Sequence, residues 1–361
     1  MNNKLSLKEK LGQMILLGLN TKIINDEIKS LIKDYHIGGV VLYRQNYSTL
    51  EEMVSFINEL KEINKDNKLP LFISIDQENG RVNRLPNDIN RLYNVKRLAD
   101  TKDMSLVNEW NKITAEILSS VGVNMNFAPV LDIYRNTKNQ AIGNRSYGNT
   151  KEAVMKYAFP LMKELQKNNV IPVIKHFPGQ GLAKIDSHTL IPYIQNTKEL
   201  FNEDMVVFKE AFNEGADVVL VGHVRVKSFG FRPASLNIKF INKFFIDEIK
   251  YKGLIVTDDL KMNYLKFNVL NNIRTGIDAG NHLIMIKYKK GDLNNVYKKL
   301  YADVASGKVR HENIENSAYK IIKIKEKYLL TNQPIKYNFN KEEVNNRINK
   351  LNNDIDAYFR N

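Results

Sequence analysis

Two short segments carry most of the side chains that could do chemistry. Residues Lys175–His188 read KHFPGQGLAKIDSH and contain a Lys-His pair, a Pro-Gly turn and an Asp-x-His dyad. Residues Ile255–Leu260 read IVTDDL, an apolar run that ends in two adjacent carboxylates. A carboxylate at the tip of a buried strand, approached by a separate Asp-His pair, can split an acetal through a covalent intermediate. These residue types therefore predict acetal cleavage.

Asp258 is the candidate nucleophile. It directly follows an apolar run, so its carboxylate would be partly desolvated and would need a cation such as Lys175 or an arginine nearby to stay ionised. The alternative is a structural role as the N-cap of a helix, which Asp favours. Successive side chains on a strand point to opposite faces, so Asp258 and Asp259 are not an acid–base pair with each other. We expect Asp258 to face inward and Asp259 to serve as a cap or salt-bridge partner.

Asp186 and His188 are the candidate acid–base pair. A carboxylate beside an imidazole fixes the tautomer of the ring and raises its basicity. Because histidine titrates near neutrality, His188 could donate a proton to the leaving oxygen and later accept one from water. The residues alone leave a second interpretation open, a surface histidine with a capping Asp, because most glycosidases use a second carboxylic acid instead.

The elements that must position these residues alternate between strands and helices. Near-continuous apolar runs are typical of parallel strands buried on both faces. Alternation of such runs with helix-length amphipathic segments predicts a single (β/α)8 barrel of the TIM type. A doubly wound sheet is the alternative, but no glycine-rich phosphate-binding motif follows any strand. The predicted strands are Gln13–Leu19, Gly38–Tyr43, Pro70–Asp76, Val123–Asp132, Val170–Phe177, Asp217–Val224, Gly253–Asp258 and His282–Ile286.

The predicted helices lie between these strands, and a different segment follows the last of them. We assign residues 1–332 to the barrel domain and residues 333–361 to a C-terminal helical appendage that is too short to be a second domain. Pro334 interrupts the preceding helix, and Lys341–Arg360 is polar and predicted to be helical. The helices predicted within the barrel include Thr49–Asn64, Ser105–Val121, Thr150–Asn168, Lys198–Glu214 and Asn237–Lys250.

Polar residues fall at the C-terminal ends of five predicted strands. In a (β/α)8 barrel, the loops at that end build the active site, so these side chains should converge on one mouth. Some of these positions also have an ordinary structural explanation, such as a lysine that extends from the barrel rim to solvent. The converging residues are Asp76, Asp132, Lys175, His176, His223 and Asp258.

Composition excludes several other classes of protein. The chain of 361 residues is 43% hydrophobic and has no cysteine, which rules out disulfides and thiolate metal sites. Its net charge of +14 is spread over lysines that alternate with acidic residues, so we expect a solvated basic surface and no nucleic-acid partner. No apolar run is long enough to span a membrane, and the N-terminal segment lacks a signal peptide, so we expect a cytoplasmic protein without a membrane partner.

Several blocks together resemble glycoside hydrolase family 3, and specifically its single-domain, NagZ-like β-N-acetylglucosaminidases. The resemblance extends from about Leu5 to Leu330. Two blocks depart from the family pattern: KHFPGHG has Gln180 in place of its second His, and DQEGGR has Asn79 in place of a Gly. The blocks, in order, are KEKLGQMILLGL, GGVVLYRQN, SIDQENGRVNRL, GVNMNFAPVLDI, IGNRSYG, KHFPGQG with IDSH, PASLN and IVTDDLKM.

The resemblance implies a role for each matching residue. It implies that Asp258 is the nucleophile and that Asp186 and His188 form the acid–base dyad. His223 is a further candidate at the mouth, without an assigned role. The residues that the resemblance implies for binding the N-acetylglucosamine ring are Asp76, Arg84, Arg145, Lys175 and His176.

The resemblance also implies a reaction. It implies a retaining, exo-acting β-N-acetylglucosaminidase that removes N-acetylglucosamine from peptidoglycan-derived disaccharides and muropeptides during cell-wall recycling. No cofactor or metal is expected, the partner is a small carbohydrate, and we expect a monomer. Three alternatives stay open: a family 3 β-glucosidase, an N-acetylglucosaminide phosphorylase, and a sugar-binding protein without catalytic activity.

Overall fold

Eight short parallel strands, β1–β8, lie within the eight predicted runs or overlap them. The structure is a computed structural model that describes residues 5–185, 191–195, 197–262, 265, 268–291 and 293–360. Seven of the eight strands are buried along their whole length, as their apolar sequences predict. The strands are β1 Ile15–Leu19, β2 Gly39–Leu42, β3 Phe72–Ile75, β4 Met125–Asn126, β5 Ile171–Phe177, β6 Val218–Val221, β7 Leu254–Thr257 and β8 Ile284–Lys287.

The strands form one parallel sheet that curls into a nearly closed barrel. Their order in the sheet is β7-β6-β5-β4-β3-β2-β1-β8, so sequential strands are neighbours until the ends of the sheet meet. Between β7 and β8 the pairing is a single parallel bridge, Val256 to Leu283, where the Thr257 N–H donates to the Leu283 carbonyl at 3.0 Å. This topology confirms the predicted TIM-type barrel, and it brings all eight carboxyl ends to one face.

Helices surround the sheet, and several begin at side-chain caps. The Thr49 hydroxyl accepts the N–H of Glu52, and the Thr150 hydroxyl accepts the N–H of Ala153, which explains two of the predicted starts. Within the described ranges, no helix combines the length and apolar content that a membrane span requires. The described α-helices of six or more residues are Leu7–Gln13, Asp26–Lys33, Leu50–Ile63, Val95–Asp100, Met104–Ser120, Lys151–Lys167, Met205–Asn213, Val269–Ala279, Leu293–Ala305, His311–Lys327 and Lys341–Tyr358.

Two predicted helices contain π-helical turns. The segment predicted as Lys198–Glu214 has a π-helical turn at Leu200–Asp204 before the regular helix. The segment predicted as Asn237–Lys250 is α-helical only over Ile238–Ile241 and continues as a π-helix over Asn242–Glu248. Apolar periodicity indicates a helix in both places, but it does not distinguish these hydrogen-bonding patterns.

A buried lysine closes the N-terminal end of the barrel. The Lys325 ammonium donates to Gln13 Oε1 at 2.6 Å, to the Gly38 carbonyl at 2.9 Å and to the Pro70 carbonyl at 2.6 Å. Burial drives the pKa of Lys325 well below its ordinary value. Because these contacts fill the bottom of the barrel, the polar opening lies at its carboxyl end.

A small sheet flanks the segment that carries the predicted acid–base pair. Lys184–Ile185 pairs antiparallel with Pro192–Ile194, which pairs in parallel with Arg225–Val226. Residues 186–190, between the first two of these strands, lie outside the described part of the chain. Asp186 and His188 are among them, so their roles stay predictions.

The C-terminal segment packs on the barrel. Helix Lys341–Tyr358 lies against helix Met104–Ser120, and the Arg347 guanidinium donates to Glu109 and Glu116 on that helix at 2.7–3.0 Å. These contacts agree with an appendage, and the division into residues 1–332 and 333–361 stays a prediction. The apolar side chains that the C-terminal helix buries are Val344, Ile348, Leu351 and Ile355.

We predict that Ile348→Ala lowers the free energy of unfolding by about 2–5 kcal/mol, because it removes a fully buried side chain and leaves a cavity. Urea unfolding followed by circular dichroism measures the change. Lys350→Ala, on the exposed side of the same helix, is the control and should change it by less than about 0.5 kcal/mol. Equal effects of the two substitutions would show that the helix does not dock as described.

Candidate active site

Polar side chains from successive strands meet at the carboxyl end of the barrel, as the sequence predicts. Asp76 and Asp258 directly follow β3 and β7, and His223 lies two residues beyond β6. Lys175 and His176 lie near the C-terminal end of β5, and the peptide bond between them is cis.

Lys175 is a buried cation held by two carboxylates. Its ammonium contacts Asp76, and it lies 2.5 Å from Glu78 Oε1. The two acids differ in accessibility, since 31% of the Asp76 side chain is exposed and only 3% of the Glu78 side chain. Asp76 is therefore the carboxylate that a ligand can reach, whereas Glu78 is enclosed by protein.

Glu78 also binds Arg145 with both of its oxygens. Arg145 Nε donates to Glu78 Oε2 and Nη2 donates to Oε1, each at 2.7 Å. Burial alone would raise the pKa of Glu78, but the charges and hydrogen bonds of Lys175 and Arg145 lower it to about 2. Among the described residues, no three His, Asp or Glu side chains are arranged to hold a metal ion.

His176 is oriented by hydrogen bonds to both of its ring nitrogens. Its Nδ1 lies 2.6 Å from Asp132 Oδ2, and its Nε2 lies 3.3 Å from Arg145 Nη2. Arginine only donates, so Nε2 is the acceptor and Nδ1 carries the proton that Asp132 accepts. The second oxygen of Asp132 accepts the Gln180 N–H at 2.6 Å, which links the histidine to the loop after β5.

Asp258 lies at the tip of β7, with part of its side chain accessible. Burial would raise the pKa of Asp258, but His223, His176, the Asp259 N–H and Lys175 together hold it below its ordinary value. The Asp259 N–H donates to Asp258 Oδ1 at 2.8 Å. The surroundings therefore keep Asp258 ionised near neutral pH, as a nucleophile requires.

Asp259 has a different environment from its neighbour. Its Oδ1 accepts the N–H groups of Lys261 and Lys287, each at 3.0 Å, and so ties the loop after β7 to the end of β8. Burial raises the pKa of Asp259, and the charge of Asp258 raises it further. The adjacent carboxylates thus separate into one that faces the opening and one that anchors the backbone.

His223 is buried in the wall behind Asp258. Its Nδ1 lies 2.6 Å from Ser235 Oγ, and its Nε2 lies 3.1 Å from the Asp259 carbonyl oxygen. A carbonyl only accepts, so Nε2 donates and Nδ1 accepts from the serine hydroxyl. Burial lowers the pKa of His223. These contacts support the Asp258–Asp259 turn.

Arg84 lies at the rim beside an aromatic residue that sequence reasoning missed. The Arg84 guanidinium is 5.9 Å from the centre of the Tyr43 ring, and the Lys287 ammonium is 5.3 Å from it. Burial and the charges of Asp259 and Asp76 raise the pKa of Tyr43. Tyr43 is the last residue of the predicted strand Gly38–Tyr43, and this position at a strand end is the sequence feature that could have indicated a place at the mouth.

The loop after β5 contacts two acids: Gly179 packs against Asp204, and the Gln180 N–H donates to Asp132. A Cβ atom at Gly179, where φ is +117°, would lie 2.6 Å from Asp204 Cβ, so only glycine suits this close approach. Asp204 Oδ2 accepts from Arg135 Nη1 at 2.6 Å, while its buried Oδ1 has no hydrogen-bond partner in the described part of the chain. Burial raises the pKa of Asp204 to about 7.

Comparison with known proteins identifies the family of this barrel. Residues 6–324 match the glycosyl hydrolase family 3 N-terminal domain. The chain belongs to glycosyl hydrolase family 3. It is 28% identical to a β-hexosaminidase of Neisseria meningitidis, over 73% of this chain and 74% of that protein. It is also 28% identical to β-hexosaminidase A of Pseudoalteromonas piscicida, over 83% of this chain but only 55% of that protein.

A solved structure agrees with the match to this family. A family 3 β-N-acetylglucosaminidase from Paenibacillus sp. str. FPU-7 superposes with a TM-score of 0.86 at 31% identity, covering 96% of this chain and 69% of the other. The predicted family and enzyme class, a glycoside hydrolase, are thereby confirmed. Of the predicted sugar-binding residues, Asp76, Arg145, Lys175 and His176 form one connected cluster, and Arg84 lies at its rim.

We predict that the free energy of unfolding of the wild-type protein falls as the pH rises from 4 to 8, compared with that of the Asp204→Asn variant. A folded-state pKa of about 7, above the ordinary value of 3.8, means that the folded protein holds a proton that the unfolded chain releases. That stabilisation is complete below pH 3.8 and is lost as the pH passes 7. At about 1.4 kcal/mol per pKa unit, the effect is at most about 4 kcal/mol.

Urea unfolding at several pH values measures this difference. The charged groups near Asp204 are Arg135, Asp132 and Glu199, and the variant leaves all three in place. Parallel pH curves for wild type and Asp204→Asn would show that Asp204 is already ionised in the folded protein at low pH, contrary to this prediction.

Proposed function

We propose that this family 3 chain is a retaining, exo-acting β-N-acetylglucosaminidase. The observation that carries the proposal is the position of Asp258, which is partly accessible at the tip of β7. His223, His176 and Lys175 lie near enough to lower its pKa. A retaining glycosidase needs such a carboxylate on one side of the scissile bond and a proton donor on the other.

The cluster around Lys175 supports binding of one sugar ring. The partly exposed carboxylate of Asp76 can accept hydrogen bonds from two neighbouring hydroxyls of the sugar. Lys175 can donate to the oxygen of a hydroxyl on the sugar ring. Arg145, His176 and Arg84 add further donors and acceptors around the same opening. Contacts of this kind fix the anomeric carbon relative to the nucleophile, which is a large part of the catalytic advantage.

The proposed reaction has two steps. Asp258 attacks the anomeric carbon as the bond to the leaving oxygen breaks, and that oxygen takes the proton of His188, oriented by Asp186. A covalent glycosyl-enzyme results. Water then attacks the same carbon, gives its proton to His188 and releases the sugar, which restores Asp258 as a carboxylate. Two inversions at one carbon give net retention.

The sugar and its source are also part of the proposal. Relatives named as β-hexosaminidases and a similar β-N-acetylglucosaminidase support N-acetylglucosamine as the sugar that is released. The motif resemblance supports N-acetylmuramic acid from peptidoglycan as the leaving group, hence a role in cell-wall recycling inside the cell. The reaction needs no metal or cofactor, because the carboxylate and the dyad supply the nucleophile and the proton.

We predict that Asp258→Ala abolishes turnover of aryl N-acetyl-β-glucosaminides while the protein stays folded, because no neighbouring group can form the glycosyl ester. Asp259, the adjacent carboxylate, is engaged with the Lys261 and Lys287 N–H groups. A mechanism-based fluorosugar should label Asp258 in the wild type, as read by peptide mapping. Labelling of Asp259 would contradict the assignment.

We predict that His188→Ala slows cleavage of a disaccharide far more than cleavage of a nitrophenyl glycoside. Protonation of the leaving oxygen matters when that oxygen is basic and matters little for a nitrophenolate. In kcat/KM, which reports the steps up to the glycosyl-enzyme, the general-acid contribution of about 10²–10⁴-fold should therefore appear only with the disaccharide. Asp186→Asn should give the same pattern more weakly, because the imidazole remains. Equal losses on both substrates would mean that His188 binds substrate or orders the loop.

A further inference from the structure

Glu78 is a buried acid at the mouth, 3% exposed, and the proposed reaction gives it no part. Its carboxylate contacts both cations of the sugar-binding cluster, Arg145 through two hydrogen bonds of 2.7 Å and Lys175 at 2.5 Å. Only 3% of the Glu78 side chain is exposed, so a ligand in the opening would meet Asp76 instead. Glu78 therefore acts on a ligand only through the two cations that it holds.

The charges of this cluster balance. Asp76 and Glu78 contribute two negative charges, and Lys175 and Arg145 contribute two positive charges. Removing one partner of a buried ion pair leaves an uncompensated charge, which is far more costly than losing an exposed pair. Without the Glu78 charge, these four side chains would keep two positive charges and one negative charge, and Arg145 would lose the carboxylate that it contacts.

The turn that carries Glu78 is itself fixed by side-chain hydrogen bonds. Gln77 Oε1 accepts the Arg84 N–H at 2.8 Å, and Gln77 Nε2 donates to Asn79 Oδ1 at 2.5 Å. Asn79, which stands where the family pattern has Gly, adopts a φ of +67° and donates to Thr114 Oγ1 at 3.0 Å. Asparagine tolerates this left-handed conformation, and its amide adds two contacts that glycine lacks.

We propose that Glu78 is a positioning residue that fixes Lys175 and Arg145 for the sugar and neutralises their charge beside Asp258. This inference rests on the proposed function. A glycosidase transition state develops positive charge on the sugar, so an uncompensated cation in the same opening would oppose it. Loss of the Glu78 charge should therefore lower kcat, and misplaced cations should raise KM.

The test compares Glu78→Gln with the wild type on 4-nitrophenyl N-acetyl-β-glucosaminide. Glutamine keeps the shape and one acceptor oxygen but removes the charge, and we expect kcat/KM to fall about 10²-fold with changes in both constants. Glu109→Gln is the matched control, because Glu109 also pairs with an arginine, Arg347, but on the outer helices. Its kinetics should equal those of the wild type.

A second variant and a double-mutant cycle separate positioning from folding. Glu78→Asp keeps the charge but shortens the reach, so it should lose less activity than Glu78→Gln. The loss caused by Glu78→Gln should shrink in a Lys175→Met background, because one of its partners is then gone. Circular dichroism verifies that each variant is folded, and if Glu78→Gln is not, the comparison is made with Glu78→Asp, which should still fall below the wild type.

Wild-type kinetics in a folded Glu78→Gln or Glu78→Asp variant would overturn the inference. A Glu78→Asp variant that is worse than Glu78→Gln, or equal losses with and without Lys175, would overturn it as well. Failure of the proposed function looks different, since the wild type would then cleave another glycoside. The same Glu78 comparisons would be made on that glycoside.

Discussion

The buried ammonium of Lys175 imposes the constraint on which the mouth of this barrel depends. A lysine that is 2% exposed needs compensating charge, and Asp76 and Glu78 supply it. Glu78 then holds Arg145, which reaches His176, which in turn rests on Asp132. Each polar group thus fixes the next, and the chain of contacts ends near Asp258, whose pKa is lowered by His223, His176 and Lys175.

The barrel makes this arrangement possible, because its strands bring charged residues that are distant in sequence to one face. Asp76 follows β3, Lys175 ends β5 and Asp258 follows β7, and parallel pairing aligns their carboxyl ends. At the opposite end, the Lys325 ammonium donates to three neutral acceptors and closes the bottom of the barrel. The two buried lysines therefore have opposite consequences: one closes the barrel, and the other organises its polar opening.

The sequence predicted the strands because buried parallel strands are near-continuous apolar runs, and it predicted Asp76, Lys175, His176 and Asp258 because polar residues at strand ends converge. It did not predict a role for Glu78, which lies two residues after Asp76. In the sequence Glu78 has no feature that distinguishes it from other loop acids, and its pairing with Arg145 is visible only in the fold. Ion pairing across 67 positions in sequence depends on tertiary structure, which no local pattern records. The π-helical turns were missed for the same kind of reason, since periodicity does not report hydrogen-bond spacing.

The central claim is that this opening recognises N-acetylglucosamine and transfers it to water through Asp258. The most direct test measures wild-type kcat/KM for 4-nitrophenyl N-acetyl-β-glucosaminide and for the matching β-glucoside, each with and without inorganic phosphate. We predict a strong preference for the N-acetylglucosaminide and rates that do not depend on phosphate. Preference for the glucoside would contradict the assigned sugar, and a requirement for phosphate would contradict hydrolysis.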